Sequence, residues 1–300
     1  MRRINNNTTK KQHHSLISLV VATIGRVHEL ERLLQSLAMQ SHTSMEIIIL
    51  DQNPQRFLDA VLDKYSSLPL VIIRIPSSGV SAARNIGLKY ASGELVGFPD
   101  DDCFYSPGLL EAVQHFFANH PSAGGMLATW LPDTLFSPNK GDYIGGMRDN
   151  RFKEVSRYAA FYRGEAHVQF FRKTILDEAG GFDEELGPGT ELVWGCGEDT
   201  DYLLRVLALA PVWRNPWAIS FHPAPILSDA SICKKAIAYG KGRMRVLKKN
   251  RLPLWFVALN ILFPLVVLPK DLVTVGLDSI RYRFSMFRGR LAGFIIEFLS

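Results

Sequence analysis

Three consecutive carboxylates, Asp100, Asp101 and Asp102, follow a predicted strand at Glu94–Phe98. Adjacent carboxylates repel one another unless a cation lies between them. Mg²⁺ and Mn²⁺ bind through such oxygen ligands, so the cluster predicts a divalent metal site. The alternative is a solvated acidic turn or a helix cap. His222, in the sequence Ser-Phe-His-Pro, is a candidate for the metal shell or for a phosphate contact, and otherwise a structural histidine.

A second acidic cluster, Gly197–Asp201, precedes an apolar helix pattern. A carboxylate close to other carboxylates has a raised pKa, which suits the removal of a proton from a hydroxyl group. Glu198 and Asp199 are therefore candidates for a general base. The alternative is that acidic residues simply favour the positive end of the helix.

The segment from Ser78 to Asn85, SGVSAARN, places a glycine at the start of another helix pattern. Free backbone N–H groups at such a position bind anions, which makes Ser78 and Gly79 candidate phosphate contacts. Arg84 is a candidate partner for a phosphate or for a nearby carboxylate.

These residues depend on a predicted alternation of strands and helices. Strands are predicted at Leu16–Ala22, Met45–Leu50, Leu70–Ile75 and Glu94–Phe98, and helices at His28–Met39, Phe57–Tyr65, Val80–Ala91, Pro107–Asn119 and Tyr202–Leu209. The β-α-β-α order predicts an α/β fold with a mostly parallel, doubly wound sheet flanked by helices. In such sheets ligands bind beyond the carboxyl ends of the strands, where Thr23, Asp51, Ser77 and Asp100 lie.

The composition excludes several classes of protein. Of the 300 residues, 47% are apolar, which is too many for a globally disordered chain. The three cysteines, Cys103, Cys196 and Cys233, provide neither a disulfide framework nor zinc-ligand spacing, and they favour a reducing compartment.

The net charge of +5 is unevenly distributed. Residues 1–14 carry four Lys/Arg and no acid, and residues 231–300 carry 13 Lys/Arg and three Asp/Glu, so residues 15–230 carry −9. The negative central region and the lack of a recognition module argue against nucleic-acid binding. The basic C-terminal region contains the uncharged run Leu252–Pro269, which favours an anionic membrane surface.

Together these motifs resemble those of the family 2 glycosyltransferases, which have the GT-A fold. The segment SSGVSAARNIGLKYASGELVGFPDDD is similar to the central signature of that family, GGFDEELG to its acceptor-side motif and GEDTDYLLR to its Glu-Asp motif. The similarity extends from the first strand at residue 16 to about residue 250. The resemblance implies inverting transfer of a sugar from a UDP-, GDP- or dTDP-sugar to a hydroxyl group.

The resemblance also implies roles for single residues. Asp199 would be the catalytic base, with Glu198 orienting it or contacting the acceptor. Asp100 and Asp102 would hold Mg²⁺ or Mn²⁺, a metal shell that His222 is a candidate to complete. Thr23 and Asp51 would hold the nucleoside. The full set of candidate donor-binding residues is Thr23, Arg26, Asp51, Ser78, Gly79, Arg84, Asp100 and Asp101.

The expected organisation has three parts. Residues 1–14 are expected to be a disordered lead-in and not a secretory signal. Residues 15–230 are expected to form the GT-A domain, with a nucleotide-binding half at 15–120 and an acceptor half at 121–230. Residues 231–300 are expected to be a basic, apolar helical region that associates with a membrane.

The expected location is the cytoplasmic face of a membrane, in a peripheral or re-entrant arrangement, with a glycan or lipid-linked acceptor. A helix over the 18 uncharged residues would be about 27 Å long, so a single transmembrane span is one alternative. Packing of these helices on the catalytic domain is another. The alternative functions are a sugar-1-phosphate nucleotidyltransferase, which needs a longer, glycine-rich loop after the first strand, and an inactive scaffold.

Overall fold

The structure of this chain is a computed structural model that describes residues 15–137, 142–143, 151–190, 192–224, 231–274 and 276–299. The lead-in predicted at residues 1–14 lies outside the described residues. Residues 138–141 and 144–150 lie outside the described residues as well.

The strands are short, and most of them belong to one sheet. Their bounds are β1 Ile17–Thr23, β2 Met45–Asp51, β3 Leu70–Arg74, β4 Leu95–Gly97, β5 Phe104–Tyr105, β6 Gly125–Pro132, β7 Phe136–Ser137, β8 Asp142–Tyr143, β9 Lys153–Glu154, β10 Gln169–Arg172 and β11 Val212–His222. β7 and β8 form a separate two-stranded ribbon.

The helices cover the sheet and continue into the C-terminal region. Their bounds are α1 His28–Ala38, α2 Asp59–Lys64, α3 Gly79–Tyr90, α4 Leu109–Asn119, α5 Ala160–Arg163, α6 Lys173–Ala179, α7 Glu198–Leu209, α8 Ile232–Lys249, α9 Leu254–Thr274 and α10 Asp278–Phe294. Single 3₁₀ turns occur at Asp133–Leu135 and Ala166–Val168, and a π-helical turn follows α10 at Ile295–Leu299.

The sheet has the strand order β3-β2-β1-β4-β10-β6-β11-β5, with β9 also paired to β11. The first four strands are parallel, as the alternation of strands and helices predicts. The second half is mixed, because β10 runs antiparallel to both β4 and β6 while β6 and β11 are parallel. The predicted α/β sheet is therefore confirmed, with more antiparallel pairing than its first half suggests.

The core lies on both faces of the sheet. β1 and β2 are buried along almost their whole length, which is why their sequences are continuous apolar runs instead of alternating ones. α1 buries Leu30, Leu33, Leu34 and Leu37 at helical spacing against this sheet. This packing fixes the carboxyl ends of β1, β2 and β4 at one edge.

The C-terminal helices pack on the domain and on one another. Met244 and Val246 of α8 and Phe256 of α9 are buried in the same core as the sheet. α8 and α10 cross closely at Gly240 and Gly289, where a side-chain carbon on either glycine would overlap backbone of the other helix. The predicted alternative that this region packs on the domain thus holds for α8 and the start of α9.

Among the described residues, α9 is the one helix long and apolar enough to cross a membrane, judged by length and composition. Only 22% of its most apolar 18-residue window is buried, and Pro264 and Pro269 lie inside it. Its exposed apolar side chains include Trp255, Leu262 and Val266.

Candidate active site

A cluster of carboxylates lies beyond the end of β4, at the centre of the sheet. Asp100 Oδ1 accepts a hydrogen bond of 2.6 Å from Nη2 of Arg84, which is almost completely buried. Arg26 Nη1, from the loop after β1, lies 2.6 Å from carboxylate oxygens of both Asp101 and Asp102. Two arginines therefore balance three carboxylates in this structure.

His222 joins this cluster from the end of β11, more than 100 residues later in the sequence. Its Nε2 lies 3.1 Å from Asp102 Oδ1. Ligand atoms from Asp100, Asp102 and His222 all lie within 4.8 Å of one another. The structure thus brings together the three residues predicted as metal ligands.

The burial of these carboxylates explains why a cation suits the site. Burial raises the pKa of Asp101 to about 6, against the opposing effect of Arg26, and burial also raises the pKa of Asp100. The pKa of Asp102 is lowered, because the contacts with His222 and Arg26 outweigh its burial. A divalent cation would supply the positive charge that the buried Asp100 and Asp101 lack, and the carboxylate oxygens of Asp100 and Asp102 are ligands that suit Mg²⁺ or Mn²⁺.

His167 packs against the metal-ligand candidate His222. The two imidazole rings stack with their centroids 4.9 Å apart, and His167 Nδ1 lies 2.8 Å from the hydroxyl of Ser220. Burial, and then the neighbouring His222, lower the pKa of His167 to about 3, so its ring is neutral. The sequence around His167 gives no sign of this role, because its partners Ser220 and His222 come from a strand some 50 residues away.

Arg84 connects the metal-site candidates to the second acidic cluster. While Nη2 contacts Asp100, Nη1 lies 3.6 Å from Glu198 Oε1 at the first position of α7. Gly197, just before it, has φ +106°, a conformation that side chains rarely adopt, and this turn brings α7 to the site. Burial raises the pKa of Glu198, although Arg84 opposes the change.

Asp199 faces a different space from Glu198. It lines a cavity of about 200 Å³ bounded by α5, the residues before α7, and α8. Burial, and then the charges of Glu198 and Glu165, raise the pKa of Asp199 well above its usual value. A carboxylate with a raised pKa at the wall of a cavity can accept a proton from a bound hydroxyl group.

The nucleotide-side candidates lie along the neighbouring strand ends. Thr23 and Asp51 are partners in the β1–β2 register and are both buried. The Asp51 carboxylate accepts hydrogen bonds from the backbone and side-chain nitrogens of Asn53, and its other oxygen lies 3.6 Å from Nε of Arg74. Asn53 therefore fixes the orientation of the predicted nucleotide contact.

The loop that begins α3 differs from its prediction in one respect. Gly79 has φ +81° and packs against the backbone of Gly189. The amide of Ser78 donates to the side chain of Gln52, and the amide of Val80 donates to the carbonyl of Pro188. The N–H group of Ser78, one of the two residues predicted to contact an anion, is thus already bonded within the protein, as is that of Val80.

Residues missed by sequence reasoning complete the cavity beside Asp199. They include Glu165 from the segment after α5, and Tyr239 and Arg243 from α8. The only sequence signal for Arg243 is its place in a basic helix that also contains apolar residues, and that pattern by itself predicts a membrane-binding surface.

The chain matches the family model described as "Glycosyl transferase family 2" over residues 18–176, more than half of its length. The chain belongs to glycosyl transferase family 2. This membership confirms the family suggested by the motifs and argues against the nucleotidyltransferase alternative.

Curated relatives of this glycosyl transferase family 2 chain include two enzymes. The glucosyl-dolichyl phosphate glucuronosyltransferase of Haloferax volcanii is 26% identical over 181 residues, 57% of each chain. The poly(ribitol-phosphate) beta-N-acetylglucosaminyltransferase TarS of Staphylococcus aureus is 27% identical over 180 residues, 56% of this chain and 30% of TarS. The chain thus spans about a third to just over half of these relatives.

The solved structures support the same fold. The mannosyltransferase PcManGT from Pyrobaculum calidifontis, in complex with GDP-Man and Mn²⁺, superposes with a TM-score of 0.64 at 15% identity. The match covers 96% of this chain and 88% of PcManGT. This likeness concerns the fold, and with the family match it confirms the GT-A fold expected from the sequence.

Proposed function

We propose that this glycosyl transferase family 2 chain transfers a sugar from a nucleotide-diphosphate sugar to an acceptor hydroxyl group, with inversion at the anomeric carbon. One observation carries the proposal: Arg84 contacts both Asp100 in the carboxylate cluster and Glu198 beside Asp199. This single side chain places a candidate metal and diphosphate site next to a candidate base.

Asp100, Asp102 and His222 are the residues that would hold Mg²⁺ or Mn²⁺. A bound divalent ion would neutralise the negative charge that develops on the diphosphate leaving group. Arg26 lies against Asp101 and Asp102 and is exposed enough to turn toward a bound diphosphate. The complex of PcManGT with GDP-Man and Mn²⁺ supports this combination of donor and metal.

Asp199 would remove the proton from the acceptor hydroxyl as its oxygen attacks the anomeric carbon. The new glycosidic bond forms on the face opposite the diphosphate, and the bond to the diphosphate oxygen breaks. Glu198 would keep Arg84 in place, so that its charge lies between the two carboxylate clusters. Without Arg84 the buried acids would repel one another and favour protonation.

Donor binding would use the strand ends at the nucleotide side. Asp51, oriented by Asn53, would contact the nucleoside together with the neighbouring Thr23. Gly79 through its N–H group and Ser78 through its side-chain hydroxyl would contact the donor where the loop before α3 meets Gly189. Arg84 and Asp101 would lie beneath the diphosphate.

A glycan or lipid-linked acceptor would reach the site at a membrane surface. Support comes from the net charge of residues 231–300 and from the exposed apolar side chains of α9. Apolar side chains beside basic ones favour binding at the surface of an anionic membrane. We place the catalytic domain on the cytoplasmic face, with assembly of cell-surface polysaccharide or glycolipid as the process it serves.

The test measures donor binding and donor turnover separately. UDP, GDP and dTDP are titrated by calorimetry with Mn²⁺, with Mg²⁺ and with EDTA, and nucleotide release is then measured with the corresponding sugar donors. We expect metal-dependent binding of one nucleotide by the wild type.

Asp102→Asn should abolish the metal-dependent part of donor binding, while Asp63→Asn, at an exposed aspartate of α2, should leave it unchanged. The proposal would be overturned if the wild type bound none of the three nucleotides in the presence of Mn²⁺ or of Mg²⁺. Binding without any turnover when cell-extract acceptors are supplied would favour the inactive-scaffold alternative.

A further inference from the structure

One wall of the cavity beside Asp199 consists of residues that have no role in the proposed sugar transfer. Arg163 and Glu165 lie at exposed positions on one side, and Tyr239 and Arg243 of α8 lie on the other. Because the cavity opens next to the proposed base, the groups that line it would contact the acceptor.

Arg243 is held firmly and yet incompletely bonded. Its Nε donates a 2.7 Å hydrogen bond to Asn260 Oδ1, and its guanidinium lies about 5 Å from the ring centroids of Phe161 and Tyr162. Its Nη2 is buried and has no hydrogen-bond partner. Within the described part of the chain no carboxylate lies within ion-pairing distance of this guanidinium.

Arg290 of α10 extends the same positive cluster. It is 3% exposed and donates through Nη1 to the backbone carbonyl of Asn260, the residue that also binds Arg243. Its Nε is buried without a partner. Burial, and then the charge of Arg243, lower its pKa to about 9.

Buried arginines are usually paired with anions, because an unpaired buried charge is strongly unfavourable. Here the two guanidinium groups share one neutral asparagine, and one of them lines a cavity next to the proposed base. The arrangement is that of an anion site whose anion comes from outside the chain.

We infer that the acceptor carries a phosphate group, and that Arg243, joined to Arg290 through Asn260, binds this phosphate while the acceptor hydroxyl faces Asp199. The inference rests on the proposed transferase function. A guanidinium offers two parallel N–H groups to phosphate oxygens, and two neighbouring guanidinium groups match the charge of a phosphate better than that of one carboxylate.

A polyol phosphate and a prenyl phosphate share this chemistry. One relative is named for poly(ribitol-phosphate) and another for dolichyl phosphate. These are the two sources of the acceptor phosphate that the experiment must distinguish. The probes are therefore ribitol 5-phosphate with ribitol as its neutral counterpart, and a short-chain prenyl phosphate with the corresponding prenol.

The experiment titrates each probe into the full-length protein in detergent by calorimetry. The nucleoside diphosphate that binds the wild type is present in excess with its metal, so that the donor site is filled. We expect at least one phosphate-bearing probe to bind at least tenfold more tightly than its neutral counterpart. The probe that does so identifies the source of the phosphate.

Arg243→Gln is expected to remove this preference, and Arg243→Lys to weaken it by keeping the charge but losing the paired N–H groups. Arg288→Gln, at an exposed position of α10, is the matched control and should keep the preference. Nucleoside diphosphate binding measured on each variant separates loss of the acceptor site from loss of the fold or of the donor site.

Equal affinity of the wild type for the phosphate-bearing and neutral probes would overturn the inference, whatever the variants do. So would a preference for phosphate that survives Arg243→Gln in a protein that still binds the nucleotide. If no nucleoside diphosphate binds the wild type, the failure belongs to the proposed transferase function.

Discussion

The protonation of Asp199 decides whether the proposed transfer can begin, because only an ionised carboxylate can take the acceptor proton. Asp199→Asn is expected to lower the rate of sugar transfer by about 10²–10⁴-fold, the usual contribution of a general base. Donor affinity should stay unchanged. Asp199 lines the cavity, whereas the proposed metal site consists of Asp100, Asp102 and His222. Calorimetry with the donor nucleotide and a transfer assay together check this division, which an equal loss of both quantities would contradict.

The raised pKa of Asp199 predicts a pH dependence. Since the base must be ionised, the transfer rate is expected to fall as the pH drops through this raised pKa. Burial is the main cause of the shift, and the charges of Glu198 and Glu165 add to it. Glu165→Gln removes one of those charges, so it should move the acidic limb of the rate profile to lower pH by about half a unit.

Rates measured across a pH series in wild type and Glu165→Gln test this expectation. Glu178→Gln, at an exposed position of α6, serves as the matched control and should leave the profile in place. A shift to higher pH, or the same shift in the control, would mean that Glu165 does not act on the base.

The site residues that could be predicted from the sequence are those whose neighbours in the chain already indicate a function. Asp100 and Asp102 lie in an acidic run, and Asp199 lies in another. His167 and Arg243 lack such a context, because their functional neighbours come from β11 and from α9 and α10. Interactions between distant segments leave little trace in a single sequence.

The close crossing of helices α8 and α10 predicts the direction in which a glycine-to-alanine substitution changes the free energy of unfolding. In a helix, replacing glycine by alanine usually stabilises by up to about 1 kcal/mol. At Gly289 the added methyl would overlap the backbone of Ile237, so Gly289→Ala is expected to lower the free energy of unfolding by about 1–3 kcal/mol.

Chemical denaturation of the full-length protein in detergent measures the effect of Gly289→Ala. Arg288→Ala, at the exposed neighbouring position, should change the stability very little. A stabilised Gly289→Ala variant would show that the two helices do not touch at this point.

The elements of the first half were predictable because their sequence patterns are strong. β1 and β2 are unbroken apolar runs, and α1 repeats leucine at helical spacing. β10 and β11 were missed, because β10 is only four residues long and β11 contains Asn215 and Pro216 where its pairing with β6 shifts register. The antiparallel insertion of β10 between β4 and β6 has no local sequence signature.

At the scale of the whole molecule, charge and exposed apolar surface are concentrated in the C-terminal region. Leu262 and Val266 of α9 are 52% and 69% exposed, one helical turn apart. The double substitution Leu262→Glu and Val266→Glu is expected to lower binding to anionic vesicles by about tenfold or more, because both apolar contacts and charge attraction are lost.

Co-sedimentation with phosphatidylglycerol-containing vesicles measures this loss. Ile72→Glu introduces a charge at an exposed apolar position of β3, and vesicle binding should be unaffected by it. Undiminished binding of the double variant would exclude α9 as the membrane contact. These point substitutions are preferable to removing residues 231–300, because Met244 and Phe256 belong to the main core.

The metal-site candidate and the cavity beside Asp199 are completed at different points of the chain, because α8 follows every residue of the metal-site candidate. The carboxylate cluster needs only the first 102 residues and His222, whereas Tyr239, Arg243 and Val246 of α8 close the cavity beside Asp199. Because synthesis proceeds from the amino terminus, every residue of the metal-site candidate leaves the ribosome before the α8 residues that close the cavity beside Asp199. A proteolytic cut or premature stop codon before α8 would therefore remove one wall of the acceptor cavity and keep every residue of the metal-site candidate.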